Sequence, residues 1–388
     1  MAVNQPIPKR IIETKPEMAV KKYNTLLVDG SNLLEVCFAK DKKLSSNGLE
    51  VGAIFQFLLQ IKLLLQKGNF RHVYAFFDGN SSGQLRFNLN CEYKLNRDKT
   101  FEEEGLSDYM KEVNSRIKWM EKKIYKKPKR TEDEKEAFFR QKNVILKCLD
   151  ELFVRVLECE YTEADDFIGY YVTHKAPEER IVIISNDRDL TQLISEDVIV
   201  YIQSKHEFIN TKNHTEKLGY NYQNVLLKKM ICGDTSDNIK GVKGVGEKTL
   251  LTNFPEFCQR KVTLDEVIEK AKKINDDRAA EKKAPLKWAE NIVESITDGC
   301  QGKKLYEINE KIIDLKNPLM TEDAKELLEG FMHTPIDPEG RSMTNLYNIL
   351  MEAGVDDLRD ASVFGNFFTE FGYVIDNEKK FYEKSVAE

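Results

Sequence analysis

The sequence predicts an α/β protein, a mainly parallel sheet flanked by helices, followed by an α-helical C-terminal region. Three observations carry that prediction. Short apolar runs at Thr25–Val28, Val73–Phe77, Val154–Leu157 and Ile181–Ile184 read as strands. Each leads toward a polar turn and a helix-like segment, so the alternation is β-α-β-α. Beyond about Leu226 the strand signals fade into helical patterns. Such alternation needs crossovers, which place helices on both faces of a parallel sheet and ligands outside the carboxyl ends of its strands.

The leader, residues 1–22, is polar and carries Pro6, Pro8 and Pro16, without the apolar core of a signal peptide. The first apolar run ends in Asp29-Gly30-Ser31-Asn32, which reads as a strand running into a turn. A helix is expected next, with Ile54, Phe57, Leu58, Ile61 and Leu65 at spacings of three and four and an end near Gly68. The second strand stops at Asp78-Gly79. From about Thr100 to Leu152 runs a charged, helix-forming stretch too long for an ordinary connection, which points to a functional role. The expected units are therefore an α/β domain at 23–225, an α-rich region at 226–330 punctuated by Gly241, Gly244 and Gly246, and a helical extension at 331–388. The span Lys270 to Lys287 reads as a solvated helix pair or loop, and the residues from Asn377 as frayed.

Composition narrows the class. The 388 residues hold 59 Lys plus Arg against 65 Asp plus Glu and are 41% hydrophobic, which excludes disorder throughout. Seven scattered cysteines without a C-x-x-C pair exclude a disulfide framework or zinc knuckle and suit a reducing, cytoplasmic compartment. The most apolar stretch, Ala53 to Leu65, is interrupted by Gln56, Gln60 and Lys62 and is too short to span a bilayer. A net charge of -6 argues only weakly against nucleic acid, because a whole-chain sum hides local fields and bound cations.

The acids are the strongest signal. Asp29, Asp78, the Glu163-Ala164-Asp165-Asp166 group and the Asp187-Arg188-Asp189 pair fall where the predicted sheet presents its carboxyl ends, and Asp234 and Asp237 follow three residues apart. Singly, each has a structural explanation: Thr162 and Asp165 could form a capping box, Asp187 an N-cap, and the Asp-Gly pairs turns. Caps and turns account for one acid per site, not for three at 163–166 or two at 187–189. Crowded carboxylates raise one another's pKa unless cations compensate them, and hard divalent ions, Mg²⁺ or Mn²⁺, suit an all-oxygen set. Two such ions can clamp a phosphodiester for hydrolysis. No Ser-His-Asp arrangement and no H-E-x-x-H pattern offers a competing chemistry.

At this point the chain resembles the flap-endonuclease-like 5′ nucleases, including their phage ribonuclease H branch. The segments Leu27-Val28-Asp29-Gly30, Phe77-Asp78, Tyr93-Lys94-Leu95-Asn96-Arg97, Glu163-Ala164-Asp165-Asp166, Ser185-Asn186-Asp187-Arg188-Asp189 and Gly233-Asp234-Thr235-Ser236-Asp237-Asn238 occur in family order, and a glycine hairpin follows. The resemblance covers roughly residues 23 to 375. It implies a PIN-like nuclease domain, with Asp29, Asp78, Glu163, Asp165 and Asp187 around a first Mg²⁺, Asp189, Asp234 and Asp237 around a second, and Asp166 supporting either. It further implies 5′ to 3′ exonuclease, flap endonuclease and ribonuclease H activity during DNA replication. The implied partners are branched or nicked DNA, RNA-DNA hybrid and a single-strand DNA-binding protein, with a monomeric enzyme.

The resemblance implies that three further segments handle the nucleic acid. Lys94 and Arg97, three apart, would project together from a helix toward a scissile phosphate, and the resemblance makes them catalytic and Tyr93 a base-stacking surface. From Arg116 to Arg130 eight basic residues stand against Glu121 alone, interleaved with Trp119 and Tyr125. By resemblance this is a helical arch in which Lys122, Lys123, Lys126 and Lys127 meet a single strand. The segment Gly241 to Thr249 misses the P-loop pattern by one residue, since Glu247 separates Gly246 from Lys248. It suits a helix-hairpin-helix instead, and the resemblance makes Gly241, Gly244, Gly246, Lys248 and Thr249 a duplex-gripping helix-three-turn-helix around a K⁺ ion. The rival readings are a catalytically silent DNA-binding protein and a ribonuclease acting on single-stranded RNA. No acid is missing, and the hairpin and arch suit duplex DNA with a free 5′ strand.

Overall fold

A computed structural model of the chain describes residues 20, 22–95, 130–296 and 305–387. A six-stranded sheet forms its centre, in the order β3-β2-β1-β4-β5-β6. The strands are β1 (Thr25–Asp29), β2 (His72–Asp78), β3 (Arg155–Cys159), β4 (Ile181–Ile184), β5 (Val198–Ile202) and β6 (Glu207–Ile209). The first five are parallel and β6 pairs antiparallel with β5. The mainly parallel sheet is as predicted. Both faces are covered, which is why β1, β2 and β4 read as unbroken apolar runs. Leu26, Val28, Val73, Ala75, Phe77, Val182 and Ile184 point into one core, and Leu27, Tyr74, Phe76, Ile181 and Ile183 into the other.

The predicted turn after β1 is instead the start of a helix, α1 (Gly30–Lys40), because the Asp29 carboxylate accepts the Asn32 N–H and caps it. The expected helix follows as α2 (Gly52–Leu65). After β2 come α3 (Gln84–Leu89) and α4 (Glu132–Glu151), the latter closing the long connection with a Thr131/Glu134 capping box. Residues 96–129, with most of the basic arch, lie outside the described residues. The next helix, α5 (Ala164–His174), leaves β3 for the second face, and α6 (His214–Leu218) follows β6.

The α-rich region has its own core. Helix α7 (Val225–Cys232) leads through a two-stranded ribbon, β7 (Gly233–Asp234) and β8 (Ile239–Lys240), into α8 (Glu247–Asn253) and α9 (Glu256–Gln259). Helices α10 (Leu264–Ala280), α11 (Lys287–Glu294) and α12 (Leu305–Ile313) complete it. The span read as solvated is thus a helix pair with a buried seam of Val267, Ala271, Ala289 and Ile292. The extension returns to the sheet. Ala324 and Leu328 of α13 (Glu322–His333) join one face, while Leu346 and Leu350 of α14 (Met343–Ala353) and Phe364, Phe367 and Phe368 of α15 (Ala361–Phe368) join the other.

The last helix, α16 (Gly372–Ala387), overturns the expectation of fraying from Asn377. Glu378 is fully buried and accepts hydrogen bonds from Arg155 Nε at 3.1 Å and Nη2 at 2.7 Å, and its Oε1 lies 2.8 Å from His72 Nδ1. A buried ion pair is broken only at high cost, so the helix is anchored to the amino ends of β2 and β3. Among the described residues no helix is long and apolar enough to cross a membrane.

Candidate metal centre and nucleic-acid interface

The acids gather because the strands that carry them are neighbours in register. Asp29 ends β1 and Asp78 ends β2, while Glu163 and Asp187 follow β3 and β4 on the same edge of the sheet. Two glycines keep this edge tight. A Cβ on Gly30 would lie 2.6 Å from the Phe77 ring, and one on Gly79 would lie 1.7 Å from the Cys159 carbonyl. The Asp-Gly pairs are therefore close-approach sites as much as turns.

Hydrogen bonds then fix the carboxylates. Asp29 accepts from Ser185 Oγ at 2.7 Å, and the same hydroxyl accepts the Asp187 N–H at 2.9 Å, tying β1 to the loop after β4. Asp78 accepts the Ala164 N–H at 2.9 Å, which ties β2 to the start of α5. Asp187 also accepts the Asp189 N–H at 2.8 Å, a local turn rather than the expected helix N-cap. The expected Thr162/Asp165 box is shifted by one residue: Glu163 and Asp166 cap α5. That shift releases the Asp165 side chain from capping.

Glu163, Asp165 and Asp166 offer ligand oxygens within 4.8 Å of one another. Asp166 is already engaged, with both oxygens accepting from Arg86 at 2.6 Å, so its role is to hold Arg86 and the helix start. Glu163 accepts from Lys94 Nζ at 2.6 Å and from the Tyr93 hydroxyl at 2.8 Å, with Arg86 Nη1 at 3.1 Å. Asp165 Oδ1 is buried and has no hydrogen-bond partner. A buried acceptor without a protein donor is costly, and a bound cation would satisfy it. At the far end of the pocket Lys229, on α7, contacts Asp189 and sits 2.5 Å from Asp234.

Electrostatics follow from this crowding. Burial pushes the Asp29 carboxyl up to about 7, against hydrogen bonds from Ser185 and Asn32, with the charges of Asp78 and Asp187 adding to the rise. Burial also raises Asp165, and raises Asp189 together with the charge of Asp187. Asp234 goes the other way: burial opposes ionisation, but Lys229 and Ser236 hold it at about 2. Among the described residues, Arg86, Lys94 and Lys229 pair with Asp166, Glu163 and Asp234, while Asp29, Asp78, Asp165 and Asp187 have no ion pair with a cation, an excess that a divalent ion would offset.

The sign of the pH dependence is fixed. With Asp29 raised from 3.8 to about 7, the folded protein holds a proton that the unfolded chain has released across that window, so its contribution is present at the acid end and lost as pH rises through about 7. The cation-free protein should therefore lose melting temperature from about pH 4 to about pH 7 on this account, and a divalent cation should restore it at the higher pH. Thermal melts with EDTA and with added metal check this; a flat profile would show that the acids do not crowd one another.

Other predicted residues land as follows. Lys94 stands in a turn with left-handed backbone (φ 53°), not on a helical face, held by its N–H to the Asp237 carbonyl at 2.8 Å. Arg97, Lys122, Lys123, Lys126 and Lys127 lie outside the described residues. The Tyr93 ring is only 1% exposed among Ile239, Ile312 and Ile313, so it offers no open face for stacking in this conformation. Asp234 and Asp237 flank the tip of the β7-β8 ribbon rather than one helical turn, with left-handed Asn238 closing it. The hairpin has the predicted shape: Val242 and Val245 are buried, Gly244 is left-handed (φ 79°), and Lys248 is exposed on α8 beside Thr249. Gly241 packs against Cys232, and Gly246 caps α8 with open space around it. Arg86 and Lys229 were not predicted, since single basic residues on helix faces usually meet solvent.

A parallel sheet with carboxylates converging at its carboxyl edge, beside a helix-hairpin-helix, defines a resolvase-like nuclease fold. The family model described as "5'-3' exonuclease, N-terminal resolvase-like domain" matches residues 24–219, and the chain belongs to that family. It is 28% identical over 246 residues to the 5′-3′ exonuclease of Buchnera aphidicola, covering 62% of this chain and 73% of the relative. It is also 28% identical over 286 residues to DNA polymerase I of Bacillus subtilis, covering 72% of this chain. The match spans only 28% of that polymerase. Among solved structures, the bacteriophage T5 flap endonuclease in a complex with DNA and metal ions has a similar fold (TM-score 0.53, 18% identity, covering 92% of this chain and 99% of that one). The zinc-bound T5 5′-exonuclease gives a TM-score of 0.52 at 18% identity, covering 93% and 98%.

Proposed function

We propose that the protein is a Mg²⁺-dependent 5′ nuclease, a 5′ to 3′ exonuclease and flap endonuclease that acts on branched or nicked DNA. The observation that carries this reading is the cluster of Glu163, Asp165 and Asp166 with its buried, unpartnered Asp165 oxygen, beside the strand ends that carry Asp29, Asp78 and Asp187. Family membership and the DNA-bound, metal-bound T5 neighbour support the substrate and ion classes. The same reading extends to ribonuclease H activity on RNA primers during replication, with a single-strand DNA-binding protein as partner and a monomeric enzyme in the cytoplasm, that of a host cell if the chain is phage-encoded. A K⁺ ion at the glycine hairpin belongs to it as well.

Asp29, Asp78, Glu163, Asp165 and Asp187 would hold one ion, and Asp189, Asp234 and Asp237 the other. Ions bound there supply activation of the attacking water and charge stabilisation at the leaving oxygen. The chain's own part is positioning. Lys94 exchanges its Glu163 contact for the scissile phosphate, which places a fixed positive charge where negative charge develops. The backbone bond to Asp237 holds Lys94 against the ribbon that carries Asp234, so the phosphate-facing turn and the second acid group move as one. The exposed Lys243 and Lys248 of the hairpin grip duplex phosphates at a distance from the cut.

Lys94→Met should lower kcat on a flap substrate roughly a hundredfold or more with little change in duplex affinity, because the lost charge acts in the transition state. Single-turnover cleavage beside equilibrium binding separates the two; equal losses in both would make Lys94 a binding residue only. The general test is incubation with end-labelled flap, nicked and RNA-primed duplexes, with Mg²⁺ or EDTA. Cleavage from the 5′ side that EDTA abolishes is expected, and no cleavage, or cleavage that survives EDTA, rejects the reading.

A further inference from the structure

A pocket of about 350 Å³ opens beside the acid centre, with Asp78 belonging to both. Its floor is apolar, built from Leu34, Phe77 and Phe138. Its rim carries Phe139, which is 58% exposed and the one exposed phenylalanine among the described residues. Phe138 and Phe139 meet in a T-shape (centroids 5.6 Å apart, planes at 85°), a contact that occupies at most one face of the Phe139 ring. The volume lies at the small end of ligand pockets, about 300 to 1,000 Å³, and suits one nucleotide-sized group rather than a stacked run.

Charge decides which part of a nucleotide enters. Among the described residues, Glu35, Asp78 and Glu158 line the pocket, and the two cations beside them are already paired: Lys142 lies 2.7 Å from Glu158 and Arg130 lies 2.5 Å from Glu35. A phosphate would find both described cations already committed to carboxylates, with Asp78 left over, whereas a neutral base would meet aromatic carbon below and the hydrogen-bonding groups of Ser31 and Asn80 at the edge. Because Asp78 is shared, whatever fills the pocket sits next to the bond being cut.

We propose that this pocket receives one unpaired nucleobase of the strand that passes Asp78, with Phe139 as its stacking surface; the inference rests on the nuclease reading above. Phe139 is then a positioning residue. Stacking on an aromatic ring is sequence-tolerant, so the pocket fixes the strand's register without selecting a base.

The test uses flap substrates with a single 2-aminopurine at successive positions near the junction, bound to the full-length Asp187→Asn protein so that cleavage does not intervene. Quenching at one position, relieved by adding Phe139→Ala and restored by Phe139→Trp, is the expected result. In the otherwise unaltered protein, Phe139→Ala should lower kcat/KM roughly five- to a hundredfold. An abasic site at the quenched position should cost the unaltered protein a similar factor and the Phe139→Ala protein nothing more. Quenching that Phe139→Ala leaves unchanged, or full activity of Phe139→Ala, overturns the pocket assignment while leaving the nuclease reading intact. Failure of the unaltered protein to cut any substrate overturns the nuclease reading instead, and the proposal with it.

Discussion

Asp165→Asn and Asp187→Asn should each reduce cleavage of a flap substrate by about three orders of magnitude, since metal-derived charge stabilisation amounts to several kcal/mol and each 1.36 kcal/mol is tenfold. The substitution keeps the shape of the side chain and removes one charge from a crowded set. For Asp165, whose carboxyl is raised by burial and by its acidic neighbours, the loss of charge relieves repulsion. The cation-free variant should therefore melt no lower than the cation-free parent and should gain less from added Mg²⁺. Cleavage within tenfold of the parent would remove these acids from the reaction. A folded variant with no cleavage but a full Mg²⁺ response would move the ion elsewhere.

The second large effect is on stability and lies at the opposite end of the sheet. Glu378→Ala should cost roughly 3–5 kcal/mol, because it strands the buried Arg155 guanidinium, itself 2% exposed, without its counter-charge. Replacing both residues by apolar ones should recover only part of this. Arg155 also donates to the Phe331 and Thr334 carbonyls, which would be left unpaired. Burial alone would raise the Glu378 carboxyl, but hydrogen bonds from His72 and Arg155 hold it below the usual range. Its contribution is thus present above that range and lost as pH falls through the lowered value. Chemical denaturation of the two single variants and the double variant measures the coupling; additive losses would mean that the pair is not a pair.

The two predictions differ in how far the sequence foretold them. The strands β1, β2 and β4 were legible because a sheet covered on both faces needs unbroken apolar runs, and the acids at their ends were legible because parallel strands put their carboxyl ends on one edge. β5 carries the same kind of run and was within reach, whereas β6 has three residues and too little pattern for its antiparallel pairing to be foreseen. The cations were not legible. Arg86 meets Asp166 across 80 residues and Lys229 meets Asp189 across 40, and nothing in the local spacing marks either as buried. Glu378 is hidden in the same way, since its partner Arg155 lies 223 residues earlier. Turn geometry was the other gap: the Lys94-Arg97 spacing fits a helix, but the hydrogen bond from Lys94 to Asp237 makes the local backbone left-handed instead.

On the proposed reading, Lys229 makes the two ends of the pocket unequal hosts. A cation held by Asp189 and Asp234 would have to displace an ammonium that already contacts both carboxylates, whereas at Asp165 it would meet an oxygen with no protein partner. That ammonium is rooted in the helix that leads through the β7-β8 ribbon to the glycine hairpin, so any shift of α7 would alter how tightly Asp189 and Asp234 are held.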